Sequence, residues 1–180
     1  MSSFVAINST VSDLCKSCGM CCNGVMFHTV RLQSSDSAQE LKALGIRIQY
    51  KKKGSFFNQP CSAFKENACS IYAQRPSRCR LFECQQLTRL TADEITETEA
   101  LEKIQELHRK VDCFQQLIDQ SGGANSKKPI NKQYEKIIAE PLDTSADPKL
   151  LRTRAELTQT FHDLNEFLNQ HFRKEKITSN

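Results

Sequence analysis

Beyond residue 90 the apolar positions fall into a helical rhythm that the first ninety residues lack. Ile95, Leu101, Ile104, Leu107, Val111, Phe114 and Ile118 follow one another at three, four or six residues. That spacing predicts one face of a long helix over about 92–119. Thr91-Ala-Asp-Glu94 fits a capping box at its start and Ser121-Gly122-Gly123 a stop at its end. A second set, Leu150, Arg154, Leu157, Phe161, Leu164, Leu168 and Phe172, predicts another long helix over about 148–174. Asp147 is its expected cap and Pro148 its first residue. Between them, 121–131 reads as a linker, followed by a short helix around Lys132–Ala139. Neither long helix can bury its apolar face alone, so the two are expected to pair and close over the rest of the chain.

The first ninety residues alternate in shorter pieces. Cys15–Val25 contains Gly19 and Gly24 and no period, which predicts a loop. Val25–Leu32 suits a short strand. Ser35-Asp36 is a candidate cap for a helix with Ala38, Leu41 and Leu44 on one face and Gly45 as terminator. Ile46–Tyr50 alternates as a strand does, ahead of the Lys51–Lys53 turn. Phe56–Cys84 reads as irregular, with one helical turn near Ile71–Gln74 that Arg75-Pro76 should end. No repeat of fixed period is present. The expected fold class is α+β, mostly α: a small irregular cysteine-rich module with short strands over 1–88, and a helical region over 89–180 packing on it.

A length of 180 residues suits one domain with or without an appendage. No stretch approaches the roughly 20 apolar residues that span a bilayer. The first residues lack the basic and apolar regions of a secretory signal, so a cytoplasmic location without a membrane is expected. Formal net charge is +4, with no dense basic run, which argues against a nucleic-acid partner. The charge is uneven, however. Residues 1–90 carry 12 Lys+Arg against 5 Asp+Glu, and residues 91–180 carry 13 against 16.

Cysteine changes the picture most. Eight of nine cysteines lie between Cys15 and Cys84. They run Cys15-x2-Cys18-x2-Cys21-Cys22, then Cys61-x7-Cys69-x9-Cys79-x4-Cys84. A Cys-x2-Cys knuckle bends two thiolates toward one ion, and adjacent Cys21 and Cys22 point apart and can serve different centres. A disulfide framework fits small secreted domains, and a thiol redox site needs a strand–helix frame; neither context is evident. Metal ligation by Cys15, Cys18, Cys21, Cys22, Cys61, Cys69, Cys79 and Cys84 is the expectation. The ferredoxin run Cys-x2-Cys-x2-Cys-x3-Cys-Pro starts at Cys15 but has Val25 and Met26 where it should end. Paired zinc knuckles are incomplete too, so zinc, iron and an iron–sulfur cluster all stay open. Four thiolates around a divalent ion leave a charge of −2, which Arg75, Arg78, Arg80 and the lysine run would offset in part.

Cys15-x2-Cys18-Gly19-x-Cys21-Cys22, Pro60-Cys61 and Cys69-x-Ile71-Tyr72-x2-Arg75-Pro76-x2-Cys79-Arg80-x-Phe82 resemble the YkgJ-like cysteine-cluster family, the CxxCxxCC domain. The resemblance covers residues 13–85. It implies zinc or iron chelation by the eight cysteines, in proteins whose biological role is mostly unassigned. A flagellin lysine methylase is related to that family, which implies an alternative as a metalloenzyme of redox or group-transfer chemistry. A third reading is a zinc-stabilised interaction module, with a protein partner on the helices. Phe82-Glu83-Cys84 departs from the family's more usual Phe-Pro-Cys, and a glycine-rich methyl-donor loop is absent. Outside the motifs, Arg75 and Arg80 could donate to thiolates or pair with a carboxylate. Tyr72 and Cys113 are expected in the core, and His28 is a weaker candidate ligand. His162 and Glu166 share a helix face but make no site by themselves.

Overall fold

A computed structural model of the chain describes residues 13–52, 54–66, 68–123, 127–141 and 148–174. The expected cap Asp147, the lysine Lys53 and residues 124–126 of the expected linker lie outside them. The chain divides into two compact units, Met1–Glu83 with Lys127–Pro129, and Cys84–Ser126 with Ile130–Asn180. Among the described residues no helix is long and apolar enough to cross a membrane.

The first unit begins with a helix, α1, over residues 13–18, where a loop was expected. Glycine spacing marks its end and not its absence: Gly19 adopts φ 66, and its N–H reaches back to the Cys15 carbonyl at 3.2 Å. Strand β1 is Thr29–Arg31, β2 Gln49–Lys51 and β3 Gly54–Asn58. β3 lies between the other two, antiparallel to both, with Val30 opposite Phe57 and Gln49 opposite Phe56. Phe56–Asn58 is therefore strand where irregular chain was expected. Helix α2, Ala38–Ala43, is capped by Ser37, one residue past the expected pair. A two-stranded ribbon follows, β4 (Phe64–Lys65) and β5 (Ala68–Cys69), then the 3-10 turn Tyr72–Gln74. That turn ends at Arg75, whose ψ of 142 is extended as its Pro neighbour dictates. Helix α3, Ser77–Leu81, completes the unit. One cluster of its core holds Val30, Leu41, Ile46, Phe57, Cys61, Ala63 and Ile71, and Leu14, Met20, Val25, Met26 and Phe56 are buried as well.

The second unit opens with α4, Gln85–Thr91, which the apolar pattern does not reveal, then α5 (Glu97–Gln120), α6 (Ile130–Ala139) and α7 (Pro148–His171). The expected capping box is one match too early. Thr91 is the last residue of α4 and its hydroxyl donates to the Leu87 carbonyl, while Asp93 turns left-handed at φ 55. The second Thr-x-x-Glu match, Thr96 and Glu99, makes the reciprocal box. α5 and α7 pair along the expected faces, with Leu107, Phe114, Ile118, Leu157, Leu164, Leu168 and Phe172 fully buried. Tyr134 of α6 stacks on Phe161 with ring centroids 4.0 Å apart. The N-terminus of α4 meets the open carbonyls at the end of α7: Gln85 N–H donates to Phe172 O and Gln86 Nε2 to His171 O. Cys113 was expected in this core and is exposed. It precedes Phe114 by one residue, about 100° round the helix from the buried face.

Phe114 touches nothing but protein, so Phe114→Ala should cost about 3–5 kcal/mol in a denaturant melt followed by helical circular dichroism. Leu150→Ala, at a position 46% exposed, should stay within about 0.5 kcal/mol. Equal losses in the two variants would contradict the α5–α7 packing.

Candidate metal centre

Four of the eight clustered cysteines converge in the first unit from separate stretches of chain. Cys61 is itself part of the apolar core, and Cys22, Cys69 and Cys79 pack against it. Backbone hydrogen bonds fix three of them to one short segment. The Cys61 N–H donates to the Cys22 carbonyl at 2.8 Å, Phe64 N–H donates to Cys61 O at 3.0 Å, and Phe64 pairs with Cys69 in the ribbon. Cys79 arrives on α3. No disulfide joins any of the nine cysteines.

The thiols act on one another electrically. Cys22 hydrogen-bonds to the Cys69 sulfur, and this bond, burial, and the charges of Cys69, Cys21 and Cys61 together hold Cys22 strongly protonated. The same bond lowers Cys69 to about 6 against the opposing effect of burial, helped by the Ile71 N–H and the Arg75 charge. Burial pushes the Cys79 thiol up to about 12, with Cys61 and Cys69 adding to it and Arg75 opposing. Cys61 is raised chiefly by burial as well. Of the adjacent pair, Cys22 belongs to this group. Among the described residues, no group of three or more His, Cys, Asp or Glu side chains is arranged to hold a metal ion as it stands.

Cys15 and Cys18 lie on α1 three residues apart, on neighbouring positions of one helix face, and Cys21 follows in the turn after Gly19. Cys84 belongs to the second unit and precedes α4, where N–H groups of Leu87 and Gln86 face its sulfur; burial nonetheless raises its pKa.

Among the described residues, Arg75 bonds directly neither to a cysteine sulfur nor to a carboxylate. Its Nε donates to the Tyr72 carbonyl at 2.8 Å and its guanidinium lies 3.4 Å from the Tyr72 ring centroid. It reaches Cys69 and Cys79 through its field. Tyr72 is half-buried, a platform and not core, and Lys16 of α1 also approaches its ring, at 5.1 Å. Arg80 acts instead on Asp36, and its Nη2 approaches Ser77 Oγ at 3.5 Å. His28 sits just before β1 and its carbonyl accepts from Gln59 N–H.

A clamp that sequence reading missed sets α3 in place. Asp36, not a cap, accepts from Ser77 N–H at 2.8 Å and Ser77 Oγ at 2.7 Å, and from Gln33 N–H at 2.8 Å. It thereby pins the first turn of the helix that carries Cys79. Burial pushes the Asp36 carboxyl up, but these hydrogen bonds and the Arg80 charge outweigh it and leave the pKa lowered. The only trace in the sequence is Asp36 beside two serines, 41 residues before its partner.

A family model, CxxCxxCC, described as a putative zinc- or iron-chelating domain, matches residues 14–105, just over half of the 180. The match runs past the stretch that the motifs cover, into α5. No curated protein and no solved structure matches the chain.

Because the folded-state pKa of Asp36 is depressed, the clamp is fully present above the ordinary carboxylate value of about 4 and is lost as pH falls through the lower folded value. Asp36→Ala should cost about 1–3 kcal/mol at pH 7 and flatten the acid limb of the stability curve. An unchanged acid limb in that variant would refute the clamp.

Proposed function

The chain belongs to the CxxCxxCC family, and from that premise we propose that it chelates one zinc or iron ion through Cys22, Cys61, Cys69 and Cys79. The observation that carries this reading is the convergence of those four thiols, from both cysteine motifs, on one apolar cluster. The donor set suits a thiophilic ion: four sulfurs, no hard oxygen ligand, and Arg75 close enough to offset part of the −2 charge that four thiolates leave on a divalent ion. Four protein sulfurs fill a tetrahedral shell, so the bound ion serves as a structural staple with no position left for a substrate. The ion supplies the cross-link, and this chain's part is to bring the sulfurs within reach and exclude water behind them.

Burial holds Cys61 and Cys79 as thiols, so the ion must displace protons and binding weakens as pH falls. A reducing compartment such as the cytoplasm keeps the sulfurs available. Cys15, Cys18 and Cys21 are the donors for a second ion. With only three sulfurs that centre would keep an open position, and it is the place where an enzymatic role would lie.

Metal and acid-labile sulfide, measured on protein purified without oxygen, test the reading. The expected result is zinc or iron at about one ion per chain, or two where the second centre fills, with one ion lost in Cys61→Ser and Cys79→Ser and the melting of the first unit shifted to lower temperature. Cys113→Ser should keep its metal and its melting temperature. Full metal content in Cys79→Ser would refute the four-sulfur site. Sulfide with iron would identify a cluster, and a second ion lost in Cys18→Ser would place the other centre.

A further inference from the structure

We infer that Cys22 and Cys69 form a reversible disulfide that discharges the metal centre. The discharge rests on the four-sulfur reading above; the disulfide does not. The two side chains pack against the same apolar cluster, and each sulfur acts on the other's charge. Their backbones are held to the same four residues, Cys22 through its carbonyl to Cys61 and Cys69 through its pairing with Phe64. The Cys61–Phe64 segment thus ties the two backbones to each other. Both residues are half-buried, within reach of a small oxidant.

The oxidant class is a peroxide. With hydrogen peroxide, one sulfur of the pair attacks a peroxide oxygen, the O–O bond breaks, and a sulfenic acid and one water result. The second sulfur then attacks that sulfenic sulfur, the S–O bond breaks, and the hydroxyl leaves with the second thiol proton as another water. Two thiols and one peroxide thus give one disulfide and two waters, with two electrons passing from sulfur to oxygen. When the sulfurs begin as metal-bound thiolates, solvent supplies the two protons. The disulfide takes one donor from each cysteine motif and leaves Cys61 and Cys79, two sulfurs where four are needed.

The test uses the full chain carrying Cys113→Ser, which removes the exposed thiol that could cross-link two molecules. The reduced, metal-free protein is titrated with hydrogen peroxide, alkylated and digested with trypsin, and its disulfides are read by mass spectrometry. The tryptic peptide of Cys69 holds no other cysteine, and fragmentation separates Cys22 from Cys18 and Cys21 on theirs. The first disulfide should join Cys22 to Cys69 and open with dithiothreitol. A first disulfide between any other pair, or sulfinic acid without a disulfide, would overturn the inference, and this arm needs no metal. In protein carrying its ion, release followed with a colorimetric chelator should reach about one ion per disulfide formed. Retention of the ion after the Cys22–Cys69 bond forms would overturn the discharge, whereas a chain that takes up no ion removes the chelation reading and leaves the disulfide standing.

Discussion

The first unit depends on one short segment that gathers its scattered strands and loops. One cluster of its buried residues, Cys61 among them, lies amid strands of two to five residues, and Leu14, Met20, Val25, Met26 and Phe56 are buried besides. Short strands of that kind contribute few ladder bonds each, and isolated ribbons are marginal in water. What binds the pieces is the Cys61–Phe64 segment, which ties the turn after α1 to β5 by backbone hydrogen bonds and presents Cys61 between them. Four of the sulfurs therefore gather where separate stretches of the chain meet. An ion there would cross-link three stretches that are distant in sequence, which is where a cross-link removes most freedom from the unfolded chain.

Charge follows the same logic. Four sulfurs can be buried as neutral thiols at small cost, because a thiol behaves as a small hydrophobe. Once deprotonated around an ion they need compensation, and the chain sets Arg75 near by without bonding it to sulfur. Stacking on Tyr72 and donation to the Tyr72 carbonyl hold the guanidinium, so its field acts on Cys69 and Cys79 while its hydrogen bonds are used elsewhere. Such a cation stabilises both states: it is satisfied when the sulfurs are protonated and useful when they are not. The Asp36–Ser77 clamp is the mechanical counterpart, since it fixes α3 and hence the approach of Cys79.

How far the sequence could be read differs between the units for a physical reason. Helical period reports burial on a long helix, so α7 and most of α5 are legible from Leu157, Leu164 and Leu168 or Ile104, Leu107 and Phe114. The start of α5 was not, because two Thr-x-x-Glu matches lie five residues apart and only the path of α4 decides between them. In the cysteine module the knuckle spacing draws attention to Cys15, Cys18 and Cys21. The converging group instead takes Cys22 from that run and three partners 39 to 57 residues away. Spacing shows that sulfur matters; long-range pairing decides which sulfurs meet. α1 escaped because it is six residues long, with Leu14 its one large apolar residue beside two cysteines, and Cys113 was misplaced because apolar neighbours in sequence are not neighbours on a helix.

The second unit shows what the first lacks. Its helices bury whole aromatic and aliphatic side chains along 24-residue lengths, and α4 satisfies the carbonyls that α7 leaves open. Apolar area of that extent holds a fold without help, at roughly 25 cal/mol for each Å² removed from water. On the proposed reading the chain would use two means of stabilisation that respond to different conditions. Burial is indifferent to oxidants and nearly indifferent to pH, whereas sulfur coordination is sensitive to both. On that reading a change in redox state or metal supply would act on residues 13–83 through their cysteines and have no comparable handle on α5 and α7, where Cys113 is exposed.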